Sequence, residues 1–347
     1  MKMGSRVVVV SNLQYLKDLF NRDSVSFRPI INKHFLKAIK EIKGGGGFHG
    51  IANSQGKEWQ EQRRFALQNL RNLGFGKSSM EDGITDEIHE LCSNIRSKIK
   101  ENDEQNLTIY FAIAVLNILW NIITGKRLDM NSKKDQDLLK MTQTMFDFLG
   151  GAKIFVALAA PFWLRRFNPY FKELKQHFKT MFDMLLKEKD EHLDTYDPND
   201  MRDYMDIYIT EMMKVQNENN TESSFFGESG HYNFLNSFFE IFLAGNDTTS
   251  QTLSYLMMYM VNFPDVQENV QEEIDKVVTR SRMPLIEDQA NLPYTTAVIA
   301  EAQRHSIMAY HSDLVRFIKN LVAFIICFKA FFYDNISSNG SFIYQIS

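Results

Sequence analysis

The sequence predicts a mainly α protein with minor β structure. Apolar residues recur three and four positions apart through most of the 347 residues, the spacing of helices that bury one face. A single β-branched run, residues 7–10, ends at Ser11-Asn12 and reads as one buried strand closed by a turn or cap. Glycine, proline and Asp/Asn clusters break the helical pattern at intervals short enough for ordinary helix lengths.

Taken in order, residues 13–20 and 30–42 carry the helical spacing, and Gly44-Gly45-Gly46-Gly47 ends it in a loop. Four glycines do not cradle phosphate without a preceding strand and a following helix that opens with Lys-Ser/Thr, and neither is present. Residues 58–70, 82–99, 107–123, 136–148 and 170–193 resume the pattern. Gly150-Gly151, Pro161, Pro169 and Asp197-Pro198-Asn199-Asp200 mark breaks and caps. The polar stretch 217–230 reads as an exposed loop before a long apolar helix at 233–262. Pro264-Asp265 opens a helix through Val278, and Asn291-Leu292-Pro293 caps one that runs to about His305. No internal repeat is present. After Arg316 the character changes: residues 321–333 are apolar except for Lys329, and 334–347 form a polar tail. Thirteen residues fall short of the ~20 that a helix needs to span a bilayer. A buried helix or strand, or an out-of-frame tail, is therefore preferred to a tail anchor.

Composition narrows the function classes. Lys plus Arg number 39 against 43 Asp plus Glu, a net charge of −4, so a dedicated nucleic-acid binder is not expected. Hydrophobic residues at 44% and charged residues at 24% indicate a folded chain rather than a disordered one. The 28 Phe and 17 Met suit a core that encloses a bulky apolar cofactor or substrate, or else a large helical core. Cys92 and Cys327 are the only cysteines, which excludes a disulfide framework and a four-ligand zinc site and points to a reducing compartment. No metal ligands are assigned, and His49 reads as a loop residue. The amino terminus shows neither a signal segment nor an anchor, so the chain itself reads as soluble.

Three constellations carry chemistry. Ala244-Gly245-Asn246-Asp247-Thr248-Thr249 lies in the middle of the long apolar helix. Glycine costs about 1 kcal/mol in a helix interior, and Asp and Thr side chains bend helices by bonding to the backbone. The stretch is either a distortion that opens a groove with a carboxylate and a hydroxyl aimed into it, or a kink whose polar groups are satisfied internally. Trp59 and Arg63 stand four residues apart, so an indole N–H and a guanidinium share a helix face and suit an anionic group. The alternative is a core Trp beside a solvated or carboxylate-paired Arg. Glu301 and Arg304 stand at i, i+3, able to pair along the helix or to hold another segment.

In this order the three constellations resemble the cytochrome P450 family of haem-thiolate monooxygenases. The flanks Gly74-Phe75-Gly76-Lys77, Arg202-Asp203-Tyr204-Met205-Asp206, Pro264-Asp265-Val266-Gln267 and Leu292-Pro293-Tyr294 look like its microsomal, drug- and steroid-metabolising animal branch. The likeness covers about residues 4–316. It implies the P450 fold, incomplete at both ends, with a P450-like helical domain over 1–316 and a divergent tail over 317–347. It implies that Trp59 and Arg63 donate to a haem propionate and that Ala244 and Gly245 line the distal groove. Asp247 and Thr248 would relay protons, and Glu301 and Arg304 would form a buried structural pair. Arg316 is carried over as a second propionate partner on approximate spacing. Haem as cofactor, a small apolar substrate, an NADPH-dependent reductase and the cytoplasmic face of the endoplasmic reticulum membrane follow from the same resemblance. Membrane association is left open, with no anchor in this chain.

The sequence departs from the family at one decisive place. Members carry a Phe-x-x-Gly-x-Arg-x-Cys-x-Gly loop whose thiolate ligates iron, and neither cysteine here has that setting. Cys327 stands too soon after Glu301, and Cys92 reads as a small buried apolar residue. The expectation is a truncated member, inactive as it stands and weak in haem retention. The alternatives are a non-catalytic helical fragment that binds a partner or lipid, and a chain whose sequence after Arg316 is not family sequence.

Overall fold

The computed structural model describes residues 10, 12–22, 33–44, 47–74, 80–100, 107–129, 132–150, 152–159, 161–279 and 282–306. Helices fill them, with no strand among the described residues. In order they are α1 (Leu13–Phe20), α2 (Lys33–Ile42), α3 (Gly56–Asn72), α4 (Glu81–Lys100), α5 (Leu107–Thr124), α6 (Lys133–Gly150) and α7 (Ala152–Ala159). Then come α8 (Phe162–Arg165), α9 (Pro169–Asp194), α10 (Tyr204–Asn217), α11 (Gly227–Asn262) and α12 (Pro264–Val277), followed by a 3-10 helix (Ile286–Asn291) and α13 (Pro293–His305). The strand expected at 7–10 lies outside the described residues except for Val10. So do Arg316, Cys327 and the boundary expected after residue 316.

Helical spacing does not announce α7, α8, α10 or the 3-10 helix. Helix α8 has four residues, about one turn, too few for a period to show. Helix α10 buries Asp206 along with Tyr204, Met205, Tyr208 and Ile209, so a charge interrupts its core face. The expected loop 217–230 is shorter than predicted, because α11 begins at Gly227; further along it, Asn233, Asn236 and Ser237 are fully buried.

The chain divides into two compact units, Met1–Gln68 with Lys140–Ile241 and Asn69–Leu139 with Phe242–Ser347. The first is organised by α9. Its N-cap Asn168 accepts from the backbone N–H groups of Tyr170 and Phe171 at 3.0 and 3.3 Å, and Pro169 at the first helical position is pre-set for the turn. Phe171, Leu174, Phe178, Met181, Phe182 and Leu185 form its buried stripe, at the three- and four-residue steps of one face. Phe178 packs on Phe182 and Phe239. Beside them, Phe65, Tyr204, Tyr208, Phe225, Phe234 and Phe238 form a second aromatic cluster. Each fully buried ring contributes roughly 1.5–3 kcal/mol, so much of the Phe surplus is ordinary core.

In the second unit, α4 and α5 pack through Ile84, Ile88, Leu91, Ile95, Phe111 and Val115, joined by Leu253 and Met257 of α11. Helix α5 is long and apolar enough to cross a membrane, yet most of its side chains are buried in this core. A smaller cluster of Leu256, Ile274, Val278, Leu292, Ile299 and Ala302 holds α12 and α13 together.

Candidate functional site

The two halves of the predicted site fall in different units. In the first unit, α3 presents Trp59 and Arg63 on one partly exposed face, with the guanidinium carbon 5.7 Å from the indole centroid. That contact favours the planar cation over the ring face. The opposite face of α3 is pinned. Buried Gln62 donates to Ser224 Oγ at 2.8 Å and accepts from the Tyr208 hydroxyl at 2.8 Å. Glu61 accepts from the Ser223 hydroxyl and from Ser224 N–H, at 2.7 and 2.8 Å. Phe65 meets Tyr208 edge-on and packs against Phe225. Trp59 is partly exposed, so it is not the core Trp of the alternative reading.

The segment that leads into α3 is clamped to the first half of α11. Gly50 N–H donates to Asn233 Oδ1 at 2.8 Å. The N–H groups of Ile51 and Ala52 both donate to Glu240 Oε2 at 2.7 Å, and Asn53 Nδ2 donates to Oε1 at 2.5 Å. Gly50 has φ +97°, and a Cβ there would stand 2.6 Å from Glu240 Oε2, so only glycine allows this approach. Lys43 donates to Asn236. Burial pushes the Glu240 carboxyl above its ordinary range, against the charge of Lys43 and the donated N–H groups. Burial likewise lowers the Lys43 amine, against Glu240. His49, the expected loop residue, joins Glu58 through Nδ1 at 2.7 Å and stacks on Tyr232.

Glu240, Gln62, Asn233 and Asn236 escaped sequence reasoning. The signal was present: Asn233, Asn236 and Glu240 stand at i, i+3 and i+7 of an otherwise apolar helix, a polar stripe on one face.

In the second unit, α11 runs as one continuous helix through the Ala244–Thr249 stretch. Its polar side chains are turned onto the helix itself. Thr248 donates to the Ala244 carbonyl at 2.7 Å, Thr252 to that of Thr248 at 2.7 Å, and Ser254 to that of Ser250 at 2.9 Å. Asp247 Oδ2 accepts from Gln251 Nε2 at 2.5 Å. Ala244 is exposed, while Gly245 is buried: a Cβ on it would stand 2.9 Å from Leu119 Cδ1 of α5. The missing side chain of Gly245 thus admits a neighbouring helix rather than lining open space, and Ala244 is the residue on the accessible face. Asn246, at 3% exposure, leaves Oδ1 without a partner.

Glu301 and Arg304 form the expected pair, with Nε and Nη2 of Arg304 donating to the two carboxylate oxygens at 2.7 and 2.6 Å. They are 57% and 64% exposed, not buried, because α13 turns Thr295, Ile299 and Ala302 inward and these two outward. Arg304 holds the Glu301 carboxyl down to about 2. Cys92 is buried in the α4–α5 core, where burial pushes its thiol up to about 11 against the charge of Arg96. A protonated, enclosed thiol does not serve as a metal ligand.

The profile of the family described as Cytochrome P450 matches residues 1–324. The chain belongs to the cytochrome P450 family. It is 31% identical over 303 residues to cytochrome P450 2J5 of Mus musculus, covering 86% of this chain and 57% of that protein. It is 35% identical over 259 residues to cytochrome P450 2J2 of Homo sapiens, covering 74% and 49%. It is 32% identical over 296 residues to cytochrome P450 2C8 of Homo sapiens, covering 80% and 59%. The animal branch expected from the motifs is the one in which these P450 relatives fall. The chain spans about half the length of the curated relatives it matches. Haem is the cofactor of this P450 family, and the described residues fit it in part. The indole N–H of Trp59 and the guanidinium of Arg63 are donor types that suit carboxylates, and in the other unit Ala244 is exposed on α11. No thiolate ligand stands among the described residues.

Proposed function

We propose that this chain is the helical part of a P450 monooxygenase that holds the haem edge and the oxygen-side face. When bound, haem supplies the activation of dioxygen for insertion of one oxygen atom into an apolar substrate, with electrons from an NADPH-dependent reductase. In this reading the indole N–H of Trp59 and the guanidinium of Arg63 neutralise a propionate, with Arg316 as a second donor. The observation that carries it is their shared, partly exposed face on a helix whose other face is fixed by Gln62 and Glu61. Ala244 keeps the α11 face shallow and Gly245 lets α5 close behind it. Thr248 and Asp247 hold protons beside that face, and their bonds to Ala244 and Gln251 are the ones to be exchanged during a relay. Glu301 and Arg304 act as a structural pair.

On its own, the 347-residue chain is proposed to hold haem weakly and to turn over no substrate, because neither cysteine supplies the thiolate. The chain is titrated with haem, reduced and exposed to carbon monoxide. A weak complex without the strongly red-shifted thiolate Soret band is expected, and that band would overturn the inactive reading. Charge-assisted hydrogen bonds are worth about 1.5–3 kcal/mol. Arg63→Ala should therefore weaken haem binding roughly 10- to 100-fold, and unchanged affinity would remove the propionate assignment.

A second reading, lipid contact by a non-catalytic chain, has its own observation in the first unit. Phe162, Trp163 and Phe167 are 59%, 68% and 70% exposed, with Lys37 over the Phe162 ring and Arg166 over Phe167. Aromatic side chains flanked by cations suit the headgroup layer of an anionic membrane and support residence at the endoplasmic reticulum surface. Flotation with anionic and neutral vesicles tests it: Trp163→Ser should reduce recovery with anionic vesicles several-fold, and equal recovery excludes this patch.

A further inference from the structure

Away from the site, the end of α9 meets the start of α10 through four charged side chains. His192, in the last turn of α9, is 3% exposed, and Asp203, the N-cap of α10, is 2% exposed. Nδ1 of His192 lies 2.7 Å from the carbonyl oxygen of Glu188, and Nε2 lies 3.0 Å from Asp203 Oδ2. A carbonyl oxygen only accepts, and an ionised carboxylate only accepts. With Asp203 as a carboxylate, each contact takes a ring N–H, and only an imidazolium supplies both.

The surroundings balance that charge. Asp203 Oδ1 accepts from Asp206 N–H at 2.9 Å. Asp206 accepts a fork from Arg202, Nε to Oδ2 at 2.6 Å and Nη2 to Oδ1 at 2.8 Å. Arg202 Nη1 also donates to Thr195 Oγ1 at 2.9 Å, which closes the connection between the helices. His192 and Arg202 thus face Asp203 and Asp206, and the buried Glu188 side chain lies one turn back on the same face of α9. On α9 itself, Lys189 is turned onto the Phe234 ring, and the helix C-terminus favours a cation. Burial works against the charged ring, but the Asp203 hydrogen bond, the Glu188 carbonyl and the charges of Asp203 and Asp206 together raise its pKa.

The geometry points to His192 as an imidazolium clip that fastens α9 to α10 and loosens in alkali, a role independent of haem binding. His192, Asp203 and Asp206 also present three ligand atoms within 4.8 Å. The clip accounts for the group without an ion: the polar atoms that face each other are already joined, and an arginine fork occupies Asp206. The sign follows from the raised value. The stabilisation is full below the unfolded pKa of about 6.5 and is lost as pH rises through the higher folded pKa. Neutral His192 keeps one N–H, so it serves Glu188 or Asp203 but not both.

The whole chain labelled with 15N-histidine is followed by NMR from pH 5 to 10, with His192→Gln assigning the signal. Both ring nitrogens are expected to remain protonated at pH 7 and to be unmoved by one equivalent of zinc. Hydrogen exchange at residues 195–203 should quicken with the same alkaline midpoint as the ring. If His192→Gln does not fold, Asp203→Asn provides the assignment and should lower the midpoint by one pH unit or more. An unprotonated ring nitrogen at pH 7, or a shift of the His192 signal on adding zinc, overturns the proposal.

Discussion

Gly245 shows how much a single position can decide. Alanine there would gain about 1 kcal/mol of helix propensity. Its Cβ would also meet Leu119 Cδ1 at 2.9 Å and Cδ2 at 3.1 Å within a core where Leu119 is 4% exposed, and overpacking costs about 1–3 kcal/mol. Gly245→Ala should therefore destabilise the chain by about 1 kcal/mol in urea unfolding. In a Leu119→Ala background the same substitution should stabilise it, because the obstructing methyl groups are gone and only propensity remains. Additive effects in that double-mutant cycle would refute the contact. The glycine was visible in the sequence as an oddity within an apolar helix, but its partner 126 positions earlier was not, because helix spacing carries no information about which helix lies opposite.

At the level of elements, α11 is a scaffold with two kinds of face. Its first half turns Asn233, Asn236 and Glu240 onto the segment before α3, and its second half folds its hydroxyls onto its own carbonyls. Glu240→Ala removes the acceptor for Ile51, Ala52 and Asn53 at once. An orphaned buried donor costs about 1–3 kcal/mol, and Ala52 is exposed enough to recover water, so a net loss of about 2 kcal/mol is expected. Chymotryptic cleavage within residues 48–59 should also accelerate. Cleavage at the parental rate would show that the clamp does not hold the loop. Most of the long helices were legible because each buries a continuous apolar stripe, as α9 does. Helix α10 was not, since its inward face includes Asp206, and a buried charge looks like a surface residue until its Arg202 and His192 partners are known.

For the molecule as a whole, paired carboxylates contribute to acid stability. The Arg282 fork holds Asp288 below its ordinary range, and Arg304 holds Glu301 to about 2. Each folded value lies below the unfolded one of about 4, so these pairs stabilise above about pH 4 and lose their contribution as pH falls through the folded values. The urea midpoint should drop between pH 5 and pH 2.5. Asp288→Asn should flatten that drop, since Glu301 is exposed and screened by solvent. A profile unchanged by Asp288→Asn would assign the acid sensitivity elsewhere.

The sequence by itself determined the helical class, the positions of the long helices and membership of the cytochrome P450 family, because periodicity and short motifs are local properties of a chain. Trp59 and Arg63 share a face, and Glu301 reaches Arg304, by helix geometry alone. Tertiary structure decided what each group faces. It turned the Glu301–Arg304 pair outward, set Gly245 against Leu119, gave Glu240 a loop to hold and made His192 an imidazolium. Burial and hydrogen-bond partnership come from residues far apart in the chain, and only the packed fold brings them within reach.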